Sequence, residues 1–472
     1  MSPKAVVEQD DPKRCSLAWA AKVVCSAVFI AGRDPERAFR ESAAWMLLDR
    51  ERLRHALATG DAAGIRLDVS IEVDPQRKAV TLVQDGRSRA CARIVGDQGA
   101  VVVADPDAPV HFRPVAITPR VPDPATTPWP IGDCDAFSEG PVASRDAAMR
   151  AADLVFENPA QLATAFLVVH RGRLVVERYA ESVGPETRLE GWSMGKTIAA
   201  LLAGRAIALG MSGLDSDGLF PEWRAMDDPR SKIRLRDLLQ LSSGLEFSGA
   251  YGADEDLSLR EIDGRFLDHI YVYAGGIDSS AFCSAKPSEH PPGRVGRYRN
   301  CDPLLVVRAV RDFVAGRGEE FLSWPQRELF DPLGIRGIVL ETDPYGNFLI
   351  TGHDHGRARD WARLGLLLLE DGVSAGRRLL PEGHVGFLCS PAPAWPGGSR
   401  GACVVRNASR TLPLPEDAYW MSGAGVNKVI VVPSLDLVVV RLGHIAGRIA
   451  GEAQALEAAL VELSAAFAAS AA

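Results

Sequence analysis

The stretch Ser193-Met194-Gly195-Lys196 spells S-x-x-K and runs at once into an apolar helical pattern, Thr197-Ile-Ala-Ala-Leu-Leu-Ala-Gly-Arg-Ala-Ile-Ala-Leu209. Residues three apart on a helix share a face, so Lys196 can set its amine beside the Ser193 hydroxyl. A serine hydroxyl is a poor nucleophile until a neighbouring base takes its proton. A lysine can be that base where burial or nearby positive charge favours its neutral form. The helix start adds backbone N–H groups and a partial positive charge close to the serine. Taken alone, the same four residues also fit a serine at a helix start with a solvated lysine one turn on. The segments around them decide between the two.

Working outward, Ala163–His170 and Arg173–Ala180 are apolar runs flanking Arg171-Gly172, a β-hairpin pattern. Val426–Pro433 and Leu435–Leu442 repeat it near the far end. A terminal helix follows, with Leu456, Leu460, Leu463 and Phe467 along one face. Between the hairpins the pattern is mainly helical and loop-rich. The first and last strands are therefore expected in one antiparallel sheet with a helical region inserted between them. Inside that insertion lie Lys232–Leu245, ending Leu-Leu-Gln-Leu-Ser-Ser-Gly-Leu, and Tyr298-Arg299-Asn300; Trp420-Met-Ser-Gly-Ala-Gly425 precedes the final hairpin.

In this order the segments resemble the serine β-lactamase and penicillin-binding-protein superfamily, most of all its class C β-lactamase-like esterases and 6-aminohexanoate-dimer hydrolases. The resemblance covers about residues 150–465. It implies an α/β (α+β) β-lactamase-like fold: an antiparallel sheet with helices on one face and a helical subdomain beside it. It also implies a metal-free serine hydrolase, without cofactor, cleaving an ester or amide through an acyl-enzyme. By the same resemblance Ser193 is the nucleophile, and Lys196 its general base or the group that keeps Tyr298 deprotonated. Tyr298 shuttles the proton to the leaving group, and Asn300 orients Lys196 or binds the acyl portion. The backbone N–H groups of Ser193 and Ala424 form the oxyanion hole, a device whose loss of one donor costs about 2.7–4 kcal/mol of barrier. Met421, Ser422 and Gly423 take the place of the K/H-T/S-G box. Met421 departs from it, since a cation there would bind a substrate carboxylate, and the departure favours a neutral ester or amide or a substrate anchored elsewhere. Gly423 fits close approach of substrate to an edge strand. A slow-acylating penicillin-binding receptor and an acyltransferase would use the same residues.

The 472 residues are 47% hydrophobic and 24% charged, with a net charge of −8. That balance argues against nucleic acid as the main partner, since phosphate binding wants a basic face. The partner expected is a small ester, amide or short peptide, with a homodimer left open. The start of the chain lacks a signal-peptide pattern, and the apolar stretch Cys15–Gly32 is interrupted by Lys22 and short for a bilayer span. It reads as a buried helix or strand in a cytoplasmic protein, with export the alternative. Eight scattered cysteines without a C-x-x-C pair suggest reduced thiols, with a Cys25–Cys91 bridge open to an exported chain. Residues 1–105 read as a small α+β extension: a helix at 35–60, then strands at 65–73, 79–83 and 99–104. Residues 106–140 form a proline-rich linker or strap, and 141–472 the hydrolase domain. The extension is expected to narrow the pocket or support a dimer.

Gly191-Trp-Ser-Met-Gly195 also satisfies G-x-S-x-G, the nucleophile elbow of α/β-hydrolases, with Asp436 and His444 in chain order for a triad. The polar Gly184–Glu190 segment before it argues against the buried strand such an elbow needs. His353-Asp354-His355 reads as a polar loop, because i and i+2 are not a helical ligand pair. Asp360 reads as a helix cap or anchor. Tyr271, Tyr273, Trp192, Tyr345 and Trp420 are candidates for lining a pocket, of which one or two are expected to do so; the rest would be core.

Overall fold

The computed structural model describes residues 5–59, 67–138, 142–225, 227–249, 261–446 and 454–468. Ala163–His170 and Arg173–Tyr179 pair antiparallel across Arg171-Gly172. Both turn residues take positive φ, 49° and 73°, a turn that matches the right-handed twist of paired strands. Asn427–Val432 and Leu437–Gly443 make the second hairpin. Leu437–Gly443 also pairs with Ala163–His170, so the two ends do share one sheet. Its six strands run in the order Val405–Arg406, Tyr419–Gly423, Asn427–Val432, Leu437–Gly443, Ala163–His170, Arg173–Tyr179.

Helices cover both faces of this sheet, where the resemblance had suggested one. The unbroken apolar runs are the reason: a strand with no polar side needs burial on both sides, and Leu437–Gly443 is buried at every position. Ala165, Leu167 and Val169 enter a large core with the helices Gly195–Ala208 and Ala358–Leu369. Phe166 and Val168 enter a second core with Val142–Phe156 and the terminal helix Gln454–Ala468. All four apolar residues expected on that terminal helix, Leu456, Leu460, Leu463 and Phe467, sit there.

Towards the N-terminus, Val69–Asp74, Ala79–Gln84, Ser88–Ile94 and Ala100–Val103 form an antiparallel meander. Ser88–Ile94 was invisible in the sequence because its two arginines and two alanines carry no strand signature. The stretch around Cys15–Gly32 is the helix Pro12–Phe29, started by Asp11 accepting from the Arg14 N–H. The single helix expected over 35–60 is broken. A short turn Pro35–Ala38 passes through wider and tighter turns to Leu47, Leu48 is extended, and a new helix Arg50–Thr59 begins. All eight cysteines are free thiols, Cys25 and Cys91 included. Among the described residues no helix is long and apolar enough to cross a membrane.

Between the meander and the sheet, residues 104–138 contain no regular strand or helix. They are tied to the rest by side chains: the Trp129 indole donates to the Gly172 carbonyl at 2.8 Å, and its ring lies 4.6 Å from the Arg363 guanidinium.

Candidate active site

Ser193 is the middle residue of a single 3-10 turn, Trp192–Met194, that leads directly into the helix Gly195–Ala208. The turn is forced sharply: Trp192 holds φ at 52°, a region that costs a non-glycine residue about 1–3 kcal/mol and persists only where surroundings impose it. Here they do. Trp192 is buried, packed edge-on against Trp19 at 6.2 Å. The two-residue strand Leu189–Glu190 before it pairs with Asp354–Gly356, and the Gly191 N–H donates to the Asp354 carbonyl at 2.9 Å.

Lys196 lies one turn on and is almost fully buried. Its Nζ is 3.0 Å from Ser193 Oγ and 3.0 Å from the Thr351 carbonyl, which also accepts from the Ser193 hydroxyl at 3.3 Å. The Thr351 carbonyl therefore fixes the Ser193 hydroxyl and the Lys196 amine together. Tyr273, one of the pocket candidates, instead holds this carbonyl's residue in place: its hydroxyl is 2.8 Å from Thr351 Oγ1.

Tyr298 turns its ring towards Lys196, with Nζ 4.5 Å from the ring centroid. The leucine-rich landmark and Tyr298 are locked to each other. The buried Arg299 donates to the Leu245 carbonyl, and Asp302 accepts from the Ser243 hydroxyl at 2.7 Å. Asn300, expected to orient Lys196 or bind the acyl portion, is fully buried, and its Nδ2 donates to the His269 carbonyl. It supports the Tyr298 loop from behind, at the start of the helix Cys301–Gly316.

The third segment forms the strand Tyr419–Gly423. Its pleat sends Met421 and Ser422 to opposite faces. Met421 is fully buried in the core beneath the serine helix, so its side chain has no open surface to offer a substrate. Ser422 faces outward, opposite Lys428 on the neighbouring strand. Gly423 is where the strand closes on the serine turn: a Cβ there would stand 2.2 Å from the Gly191 carbonyl oxygen. Ala424 follows at the strand end, partly exposed. Asn427 clamps the same junction. Its Nδ2 donates to the Glu190 carbonyl at 2.9 Å while its Oδ1 accepts from the Gly443 N–H at 2.6 Å.

Two further features escaped the sequence. His353-Asp354-His355 is not a surface loop: all three are buried, with Asp354 and His355 in a strand. The Asp354 carboxyl lies against the start of the Ser193 helix, so close that a Cβ on Gly195 would approach its Oδ2 to 2.6 Å. Burial pushes this carboxyl well above the usual carboxylate range, against the pull of Lys196. The second feature is a fully buried ion pair, Lys22 Nζ to Glu341 Oε2 at 3.0 Å. Glu341 also accepts from Ser26 Oγ at 2.6 Å and the Ala100 N–H at 2.9 Å, and meets His353 Nδ1 at 3.2 Å. Burial alone would raise the Glu341 carboxyl, yet Lys22 and His353 hold it well below the usual range.

The elbow alternative fails on geometry. Asp436 and His444 bracket the seven-residue strand Leu437–Gly443, which places them roughly 25 Å apart at about 3.3 Å per residue. His444 instead faces Glu41 at 3.7 Å. Of the remaining aromatic candidates, Trp420 packs into the core of the terminal helix, Tyr345 stacks on His111 at 4.4 Å, and the Tyr271 hydroxyl donates to the Val7 carbonyl at 3.0 Å. Asp360 anchors rather than caps: its carboxylate receives Arg357 at 2.8 Å through both Nε and Nη2.

A buried Ser–Lys pair at a helix start, against an antiparallel sheet edge, defines a hydrolase of the β-lactamase type. The chain belongs to the Beta-lactamase family, whose model matches residues 151–462. No curated protein sequence matches it significantly. Among solved structures, a family VIII carboxylesterase superposes with a TM-score of 0.53 at 15% identity, over 70% of this chain and 98% of that one. EstCE1, described as a hydrolase with promiscuous acyltransferase activity, gives 0.51 at 16%, over 68% and 98%. A Bacillus anthracis protein provisionally assigned as a 6-aminohexanoate-dimer hydrolase gives 0.50 at 18%, over 66% and 79%.

Proposed function

We propose that the protein hydrolyses an ester or amide bond through an acyl-enzyme on Ser193. The observation that carries this reading is the 3.0 Å contact between Lys196 Nζ and Ser193 Oγ in a buried setting. In the neutral form Lys196 can receive the serine proton after a simple rotation of the hydroxyl, as Oγ attacks the carbonyl carbon. Tyr298 then delivers a proton to the departing oxygen or nitrogen, and the bond to the leaving group breaks. Water, giving its proton to the same tyrosine–lysine pair, attacks the acyl carbon; the bond to Ser193 Oγ then breaks, the pair returns that proton to Oγ, and the acid leaves. The Ser193 N–H and the Ala424 N–H stabilise the tetrahedral oxyanion, consistent with the close contact of Gly423 with the serine turn.

The test is steady-state hydrolysis of short-chain p-nitrophenyl esters by wild type and Lys196→Ala. Loss of a general base costs about 10²–10⁴-fold in rate. A mutant as active as wild type would refute the assignment. Wild type that acylates stoichiometrically without turnover would make the protein a slow-acylating receptor instead.

A further inference from the structure

A second cluster of polar groups lies beside the serine turn, enclosed within the protein. His353 and His355 are two apart on the extended segment that forms the strand Asp354–Gly356, so their side chains share a face. Asp354 takes the opposite face, against Gly191 and Gly195. The two imidazoles line a small cavity together with Glu190, Trp192 and, from the N-terminal helix, Val23 and Ser26. His355 stands directly across the ladder from Glu190. All six side chains are buried.

These walls carry more polar atoms than the protein pairs. Trp192 Nε1, Glu190 Oε1, His353 Nε2 and both ring nitrogens of His355 have no hydrogen-bond partner among the described residues. Arg33 comes to 3.6 Å from Glu190 Oε1, too far for a hydrogen bond. Buried polar atoms are otherwise almost always paired, with protein or with ordered water. The cavity leaves about 10 Å³ for the centre of a water molecule, the lower end of the ~10–15 Å³ that one water needs. It has no room for an organic ligand. Among the described residues no three groups are placed to hold a metal ion.

The donors and acceptors also balance. An indole N–H only donates and a carboxylate only accepts. Burial lowers both imidazoles from their ordinary range, and a neutral imidazole has one donor and one acceptor. His353 presents Nδ1 to the Glu341 carboxylate at 3.2 Å, so its proton sits there and Nε2 accepts.

We infer that this cavity binds one water molecule, and that the bound water positions Ser193. The water accepts from the Trp192 indole and from His355, and donates to Glu190 and to His353 Nε2. Trp192 is the residue held at φ 52° immediately before Ser193. His353 is two residues from Thr351, whose carbonyl receives the Ser193 hydroxyl and the Lys196 amine. One water thus ties the turn that carries the serine to the segment that orients it, and the N-terminal helix seals it in. The positioning role rests on the reading of Ser193 as the nucleophile; the water site does not.

A crystal structure of the full chain that resolves ordered waters tests the site. One peak is expected within hydrogen-bond distance of at least three of Trp192, Glu190, His353 and His355. An empty cavity, or anomalous scattering from a metal there, would overturn the inference. Two variants test the role. Trp192→Phe keeps a ring but removes the donor. Val23→Ile fills the cavity from the N-terminal helix, and serves also where Trp192→Phe does not fold. Either should lower kcat for p-nitrophenyl butyrate about 10-fold with KM little changed, where a misplaced reacting group costs up to ~10²-fold. Rates are counted per site labelled by a fluorophosphonate, so unfolded chains do not enter. Wild-type kcat in variants whose crystals lack the water, or an effect confined to KM, would refute the positioning role. Turnover that survives Ser193→Ala would refute the Ser193 mechanism and the positioning role together, while the peak in the cavity still decides the water site.

Discussion

Lys22→Ala tests whether the N-terminal helix is part of the catalytic body or an attachment to it. Lys22 and Glu341 have no solvent exposure, and their charged atoms are 3.0 Å apart. Removing the ammonium leaves Glu341 as a buried carboxylate with three hydrogen-bond donors and no counter-ion. Breaking a buried pair from one side costs about 3–5 kcal/mol. At about 2.1 cal/mol/K per residue, the 472 residues have an unfolding entropy near ~1 kcal/mol/K. If the chain unfolds as one unit, Tm therefore drops by about 3–5 °C. If the meander and its helix, roughly 100 residues, melt alone, their own transition drops by about 15–25 °C. Differential scanning calorimetry at neutral pH reads both quantities. The double variant Lys22→Met with Glu341→Gln removes both charges and should recover much of the loss. The reasoning is wrong if the single variant melts with wild type, or if the double variant is no more stable than the single.

Three further outcomes are expected. His353, whose burial brings it down to about 4, is joined by His269, His355, His384 and His444, all lowered by burial. The unfolded chain takes up these protons near pH 6.5, whereas the folded chain does not. Stability should therefore fall as pH drops below about 6.5, by up to ~1.4 kcal/mol per pH unit for each histidine. Asp343 and Asp354, raised by burial, oppose this in part; urea midpoints at pH 5.5 equal to those at pH 7.5 would contradict it. Gly423→Ala places a methyl 2.2 Å from the Gly191 oxygen, so the strand must leave the serine turn. Ester hydrolysis should drop by at least the ~10²-fold of a lost oxyanion donor, and a fully active variant would remove the strand from the site. Asn427→Ala strands the Glu190 carbonyl and the Gly443 N–H, at about 1–3 kcal/mol each; denaturant titration showing under ~1 kcal/mol would refute the clamp.

The contact between Ser193 and Lys196 was legible because spacing along one helix turn fixes geometry without knowledge of the rest, whereas Tyr298 entered only through the family resemblance. The hairpin at Arg171-Gly172 was legible for the same reason. Thr351 was not: only its carbonyl acts on Ser193 and Lys196, and a carbonyl has no sequence signature. Asp354 and its two histidines read as surface because three polar residues in a row are mostly exposed. His353 is buried against Glu341, whose counter-ion Lys22 is far away in the chain, and Asp354 is buried beside Gly195. Met421 and Asn300 kept the positions the resemblance gave them, but burial decides which atoms a substrate can reach, and one sequence does not show burial.

The bond from Ser26 to Glu341 joins residues 315 positions apart. During synthesis at about 5–20 residues per second, the helix Pro12–Phe29 leaves the ribosome some ~16–63 s before its partner is made. Through that interval Lys22 has no counter-ion, although the helix can already pack on the meander and, through Trp19, on Trp45 and Trp192. The newborn chain thus carries a lysine destined for burial without its carboxylate for most of its translation, and the helix around it stays loosely held until Glu341 arrives. Stalled chains shorter than about 340 residues should be cut by protease within Pro12–Phe29, and chains long enough to expose Glu341 should not.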